Sequence, residues 1–242
     1  MEVLFLALLG VCVGSFLNVL IYRLPLGQNI AFPASHCPSC KTPLRWYHNI
    51  PLFSWMFLGG KCATCKASIS FQYPLVELIT GGLFFLTALK APTLSEGILL
   101  GVIFSLLLAL SVIDLRYKAV PDMLSLPTLA LAFFVGDIVL SLEHALLFAG
   151  GFALLRILIS AVLKKEAMGE ADIIIAGIIG AVVGIPLGLV AIYLGAVLAL
   201  PAFYLVSKKG FELPFIPFLS LGLFISYLFQ APLLGLVEYY YG

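Results

Sequence analysis

The feature that most limits how this chain can fold is the repeated return of apolar stretches close to twenty residues long. They run from Glu2 to Tyr22 and then over 74–90, 97–113, 124–142, 145–163, 172–185, 187–206 and 217–238. Such a length matches the hydrocarbon thickness of a bilayer. Lipid offers no partner to backbone N–H and C=O groups, so each stretch is expected to be helical. Only 10% of residues are charged and 62% are hydrophobic, whereas soluble domains carry about 25% charged residues. The pattern predicts an all-α polytopic membrane protein of about eight transmembrane helices. The sixth stretch is short and Gly-rich, and Gly184-Ile185-Pro186 is the one place where a turn could separate it from the seventh. Without that turn the count becomes seven. The first stretch begins with Glu2, without Lys or Arg, and no small-x-small cleavage site follows it. It reads as a retained span rather than a signal peptide.

A polar interval, 23–73, separates the first helix (1–22) from a membrane core over 74–242. Loop charges are lopsided. One alternate set holds Arg23, Lys41, Arg45, Lys61, Lys66, Arg116, Lys118, Lys164, Lys165, Lys208 and Lys209; the other holds Lys90 alone. By the positive-inside rule the polar interval faces the cytoplasm, and with eight spans both termini face outward. A net charge of +1 gives no hint of a nucleic-acid partner.

Four of the five cysteines lie in that interval, as Cys37-Pro38-Ser39-Cys40 and Cys62-Ala63-Thr64-Cys65. Two C-x2-C pairs separated by a loop suit a tetrahedral zinc site. A reducing cytoplasm disfavours the disulfide alternative, and four unrelated thiols or a redox pair are the blander readings. With all four positions filled by protein, zinc would be structural and would fold a lobe too poor in apolar core to fold alone. Lys41 and Lys66 follow the pairs and would offset thiolate charge. His36 abuts Cys37 but finds the shell already filled, His48 and His144 lack ligand spacing and read as surface residues, and Cys12 reads as packing.

The third span ends on Asp114, within Ser111-Val112-Ile113-Asp114-Leu115-Arg116. Alone, an acid there reads as a helix end paired with Arg116 or Lys118. A second, Asp172, opens the sixth span just after Gly169, with no cation on its apolar side. Two carboxylates from different helices at one membrane depth can share a proton, one activating water while the other protonates a carbonyl. Gly169 would allow close backbone approach and an unusual turn. Asp122 reads as the N-cap of the fourth span.

The motifs together resemble the bacterial type IV prepilin leader peptidases, membrane aspartic proteases of the GxGD group. They are 14–25 (GSFLNVLIYRLP), 37–77 (from Cys37 through both cysteine pairs to Glu77), 113–122 (IDLRYKAVPD), 168–172 (MGEAD) and 213–222 (LPFIPFLSLG). The resemblance implies cleavage of the short basic leader of prepilins and pseudopilins at the cytoplasmic face of the inner membrane. It also implies N-methylation of the new terminus with S-adenosylmethionine. It puts the catalytic pair on Asp114 and Asp172 and the zinc ligands on Cys37, Cys40, Cys62 and Cys65. Glu166, Glu170 and Asp122 are acidic hosts for the leader. Candidates for the methyl-donor pocket are Asn18, Arg23, Trp46, Tyr47 and Glu77; Glu77 could hold the substrate ammonium or simply favour a helix N-terminus, and Trp46 and Tyr47 could equally be interfacial anchors. Two positions depart from the family pattern: Ala171 replaces the second glycine of G-x-G-D, and Ile174 stands where a lysine is frequent.

Paired carboxylates and Gly-broken helices also mark proton-coupled transporters. Those carboxylates lie near mid-membrane, whereas Asp114 and Asp172 are expected near one surface. A zinc-bearing scaffold without chemistry would leave both aspartates unexplained.

Overall fold

The computed structural model describes residues 1–164, 168–206 and 213–241. Among them there is no strand, only two isolated bridges. The α-helices are α1 (Glu2–Arg23), α2 (Phe53–Phe57), α3 (Gln72–Lys90), α4 (Leu94–Tyr117), α5 (Asp122–Ala132), α6 (Ile138–Leu163), α7 (Glu170–Val206), α8 (Ile216–Leu228) and α9 (Gln230–Tyr241). Among the described residues five helices are long and apolar enough to cross a membrane, and a sixth crossing arises if the bent pair α8 and α9 counts as one. The chain divides into two compact units, Met1–Ala109 and Leu110–Gly242.

The expected count of about eight needs correcting in two places. The stretch 124–142 is not one span. It holds α5, 11 residues long, and such a helix reaches only about 16 Å. Gly136 (φ 72°) then breaks the chain, and Asp137 caps α6 by accepting from the Leu140 N–H at 3.0 Å. Gly followed by Asp is a stop-and-start signal hidden inside an apolar run. The last span, 217–238, is bent by 86° between α8 and α9. The sixth and seventh stretches are two helical segments, continuous as α7 but broken at Gly184 (φ 73°, ψ −171°), where the sequence offered its turn.

That interruption is sharp. A Cβ built on Gly180 would lie 2.8 Å from Phe148 Cδ2, and one on Gly188 would lie 2.5 Å from Phe148 Cζ. Those ring atoms are about 2.4 Å apart, so the two positions sit within about 8 Å, whereas eight residues of straight helix rise about 12 Å. Gly184 itself lies against the His144 ring, which places that histidine at the bend rather than on an open surface. Further along, Gly195 and Gly222 let α7 and α8 approach backbone to backbone. Ile175, Ile178, Ile179, Leu219 and Leu223 fill the interior of this unit.

In the first unit α1 packs on α3. A Cβ on Gly10 would meet Thr80 O and Phe84 Cβ at 2.8 Å, and one on Gly14 would meet Glu77 Cα at 2.7 Å. Gly10 and Gly14 form the small-xxx-small face that lets membrane helices touch without a hydrophobic driving force. Cys12, on another side of α1, is exposed, so it does not pack there as expected. The Gly14→Val variant should lower the melting temperature in detergent by several degrees, since overpacking costs about 1–3 kcal/mol. Gly82→Val, with nothing near its Cβ, should leave it unchanged.

Candidate active site and metal centre

Between α1 and α3 the lobe is built from two copies of one small turn. Cys37 N–H donates to Thr42 O and Lys41 N–H to Cys37 O; twenty-five residues on, Cys62 N–H donates to Ala67 O and Lys66 N–H to Cys62 O. The bridges His36–Pro43 and Lys61–Ser68 repeat the same offset. Lys41 (φ 59°) and Lys66 (φ 61°) both adopt the left-handed conformation that closes each turn. The four Sγ atoms of Cys37, Cys40, Cys62 and Cys65 lie within 4.8 Å of one another, and Cys37 and Cys65 are 3.8 Å apart. Metal–sulfur bonds of about 2.3 Å in a tetrahedron set sulfurs about 3.8 Å apart. The cluster could therefore hold a metal ion. The Thr42 hydroxyl, followed by its backbone N–H, holds the Cys40 thiol well below its ordinary value, at about 6. N–H groups of Cys65 and Thr64 lower Cys62 likewise.

The lobe's own packing centres on Trp55. Its Nε1 donates to Ile69 O at 3.2 Å, Gly60 lies against its ring, and Phe71 meets it edge-on at 5.7 Å.

In the second unit, Asp114 lies near the C-terminus of α4 and is buried. Its carboxylate faces the Ile216 N–H, a first-turn donor of α8 with no partner inside its own helix. Its Oδ2 is buried without a hydrogen-bond partner among the described residues. Asp172 is the third residue of α7. Its N–H donates to Gly169 O at 3.3 Å, and its Oδ2 accepts the Gly169 N–H at 3.2 Å. The second bond is one half of a capping box, the N3 side chain reaching back to the N-cap N–H; the other half is absent because glycine has no side chain, and the Asp172 N–H goes to the backbone carbonyl instead. The Asp172 carboxylate is within electrostatic reach of Asp114. The two aspartates, 58 residues apart in sequence, thus lie in the same compact unit.

Gly169 plays a different part from the one its position suggests. It is not in the left-handed region, and a Cβ there would meet nothing closer than Asp172 Oδ2 at 3.5 Å. Its role is to supply the N–H that orients Asp172. Asp122 begins α5, with Pro121 at the N-cap and no side chain capping the helix. Of the acidic leader hosts, Glu170 is engaged by Arg156 Nη1 at 3.1 Å, Asp122 is exposed, and Glu166 lies outside the described residues.

The methyl-donor candidates separate into two groups. Asn18 is buried; its Nδ2 donates to Gly14 O and Tyr73 O, and its Oδ1 has no partner among the described residues. Glu77 is buried beside it on α3, with Oε2 accepting the Leu52 N–H at 2.7 Å. Arg23 is spent on structure: its guanidinium donates to the carbonyls of Asn29, Ile30 and Pro33. Trp46 and Tyr47 are exposed on the lobe.

Sequence reasoning missed Leu52 and Ile216. Leu52 has φ 62° and ψ −55°, and Phe53 N–H closes onto Pro51 O at 2.7 Å. This is the rarer, strained γ-turn, and Glu77 pins it. No residue type announces it. Ile216 carried a usable signal, since Pro217 at N2 marks the start of a helix.

A polytopic, all-helical membrane protein with two acids held by helix-start N–H groups and a separate four-cysteine lobe is the class these features define. The Bacterial Peptidase A24 N-terminal domain matches residues 8–91, and the Type IV leader peptidase family matches residues 101–204. The type 4 prepilin-like proteins leader peptide-processing enzyme of Escherichia coli O78:H11 is 36% identical over 248 residues, 92% of each chain. A prepilin leader peptidase/N-methyltransferase of Klebsiella pneumoniae is 40% identical over 74% of this chain and 84% of its own. One from Pseudomonas aeruginosa is 36% identical over 91% and 88%. No solved structure matches the chain. The chain belongs to the type IV leader peptidase family.

Two outcomes are expected. Glu77→Leu should loosen the lobe by about 1–3 kcal/mol, since it frees the Leu52 N–H and the strained turn; Leu52→Gly should restore part of that in a tryptophan-fluorescence melt. Cys62→Ser should abolish bound metal in elemental analysis of the purified protein, with the membrane helices still intact by circular dichroism.

Proposed function

We propose that this protein cleaves the basic leader from type IV prepilins or pseudopilins and methylates the amino terminus that cleavage exposes. The placement of Asp114 and Asp172 in one compact unit, within electrostatic reach and each held by a helix-start N–H, is the observation that carries the reading. Facing carboxyls titrate as a pair, with one proton shared between them. The ionised member takes a proton from water, and the water oxygen bonds to the scissile carbonyl carbon. The protonated member donates to the carbonyl oxygen. When the C–N bond breaks, the leaving amine takes up a proton and the dyad returns to its shared state. The N–H groups of Ile216 and Gly169 hold the two carboxylates in orientation.

A transporter would use its acids where they alternate between two compartments. Asp172 is instead tied to Gly169 at the very start of its helix, which favours hydrolysis.

Zinc held by Cys37, Cys40, Cys62 and Cys65 would be structural, because four cysteines complete its shell. S-adenosylmethionine supplies the methyl group when bound. The end of the α1–α3 pair suits it: Asn18 Oδ1 and Gln72 Oε1 are buried there without partners among the described residues, and the Glu77 carboxylate can receive an ammonium group. Arg23, Trp46 and Tyr47 leave the candidate pocket, the first because it organises a loop and the others because they are exposed. The basic character of the lobe supports a cytoplasmic position for it, and the family resemblance supports the inner membrane as the site of the enzyme, with Asp122 exposed to attract the basic leader.

Intact mass of a prepilin incubated with the purified enzyme tests the assignment. Asp114→Asn and Asp172→Asn should each slow leader removal by about 10²–10⁴-fold, because an amide exchanges no proton. Methylation of a pre-cleaved pilin should persist in both. Leader removal at the normal rate by either variant would reassign that residue. Gly169→Ala, by contrast, should change stability by no more than about 1 kcal/mol, because the position needs an N–H and not a glycine.

A further inference from the structure

We infer that the lobe is a lipid-binding module, seated through an aromatic face in the headgroup region of an anionic leaflet. The placement of α2 leads to this. Leu52, which immediately precedes α2, is hydrogen-bonded to Glu77. Glu77 lies five residues into α3, about 7.5 Å along its axis. Nineteen residues of α3 make about 28 Å of helix, no more than the hydrocarbon core itself at about 30 Å. The lobe is therefore fastened beside the first turns of the helix, at the level where headgroups meet acyl chains.

What the lobe presents at that level is apolar. Trp46 is 79% exposed, Met56 68% and Phe57 86%, and Phe53 and Phe71 are exposed as well. Phe53 and Phe57 stack on the same side of α2, and α2 lies against the Trp46–Asn49 turn. From Phe71 the exposed surface continues along α3 through Leu75 and Leu78, residues of a membrane-crossing helix. The aromatic face is thus an extension of a lipid-facing surface.

Charge selects the occupant. Residues 24–71 contain Lys41, Arg45, Lys61 and Lys66 and not one Asp or Glu. Arg45 donates to the Tyr47 hydroxyl at 2.7 Å, so one cation stands directly on the aromatic face. Aromatic side chains flanked by lysine and arginine, with no acid, are the composition of a segment that lies on anionic lipid. The same charge would repel a basic peptide, which makes the leader of a substrate a poor occupant. The inference does not depend on the enzymatic reading, because its test records depth and not cleavage.

The only tryptophans are Trp46 and Trp55, and both are in the lobe. The full chain is placed in nanodiscs whose lipids carry bromine high on the acyl chains, in phosphatidylglycerol or in phosphatidylcholine. With Trp55→Phe, Trp46 should lose about half or more of its emission to bromine and be poorly quenched by aqueous iodide. Because Trp55 packs the lobe's interior, the unsubstituted chain is compared with Trp46→Phe as well, and the bromine-quenched fraction should vanish with Trp46. Quenching should be about two-fold stronger in phosphatidylglycerol than in phosphatidylcholine. Trp46 quenched freely by iodide and untouched by bromine would overturn the inference. So would shielding from iodide that arises only when an apolar peptide is added, and equal quenching in the two lipids would overturn its ionic part.

Discussion

Backbone hydrogen bonding in a solvent that cannot supply it is the constraint on which the rest of this structure depends. Lipid forces the apolar segments into helices, and helices leave unpaired donors only at their first turns. Those turns are where polar function can be placed without an unsatisfied group in hydrocarbon. Asp114 faces the first-turn Ile216 N–H of α8, and Asp172 takes the N–H that precedes α7. Each carboxylate is held by a helix start, and each helix start is completed by a carboxylate. Positioning the acids and ending the helices are one physical act.

The lobe solves a different problem. It is short of apolar core and gathers its order from a few local devices: two matching cysteine turns, one packed tryptophan and one strained turn pinned from α3. Left-handed Lys41 and Lys66 close the cysteine turns, a conformation that glycine adopts more readily. A metal ion gathered by four thiolates would hold such turns shut. Glu77 then couples this lobe to the membrane helix, and the strain it holds at Leu52 fixes the direction in which α2 leaves.

Much of this was legible in the residues, and the gaps have physical causes. Eight apolar stretches were visible because their length and polarity differ so much from soluble sequence. Their number of crossings was not, because Gly136-Asp137 is a short signal inside a long apolar run, whereas the turn read at Gly184-Ile185-Pro186 does break α7. The four cysteines declared themselves by spacing. Asp114 and Asp172 were found as acids where acids are expensive, yet which helix start holds each of them depends on tertiary packing, which no spacing encodes. Gly169 misled for the opposite reason: a glycine suggests special φ, whereas the structure uses only its N–H. Arg23 looked like a ligand group, and its observed partners are backbone carbonyls of the lobe, set by a loop conformation that the sequence does not display.

The most direct measurement is a structure of the Asp114→Asn enzyme with an uncleaved prepilin segment bound. The substituted amide at position 114 and the Asp172 carboxyl should both stand within hydrogen-bond reach, about 2.6–3.2 Å, of the scissile carbonyl or of one water beside it. A bound segment whose scissile bond lies beside only one of the two side chains, with the other turned away and unable to reach the same water, would contradict the account.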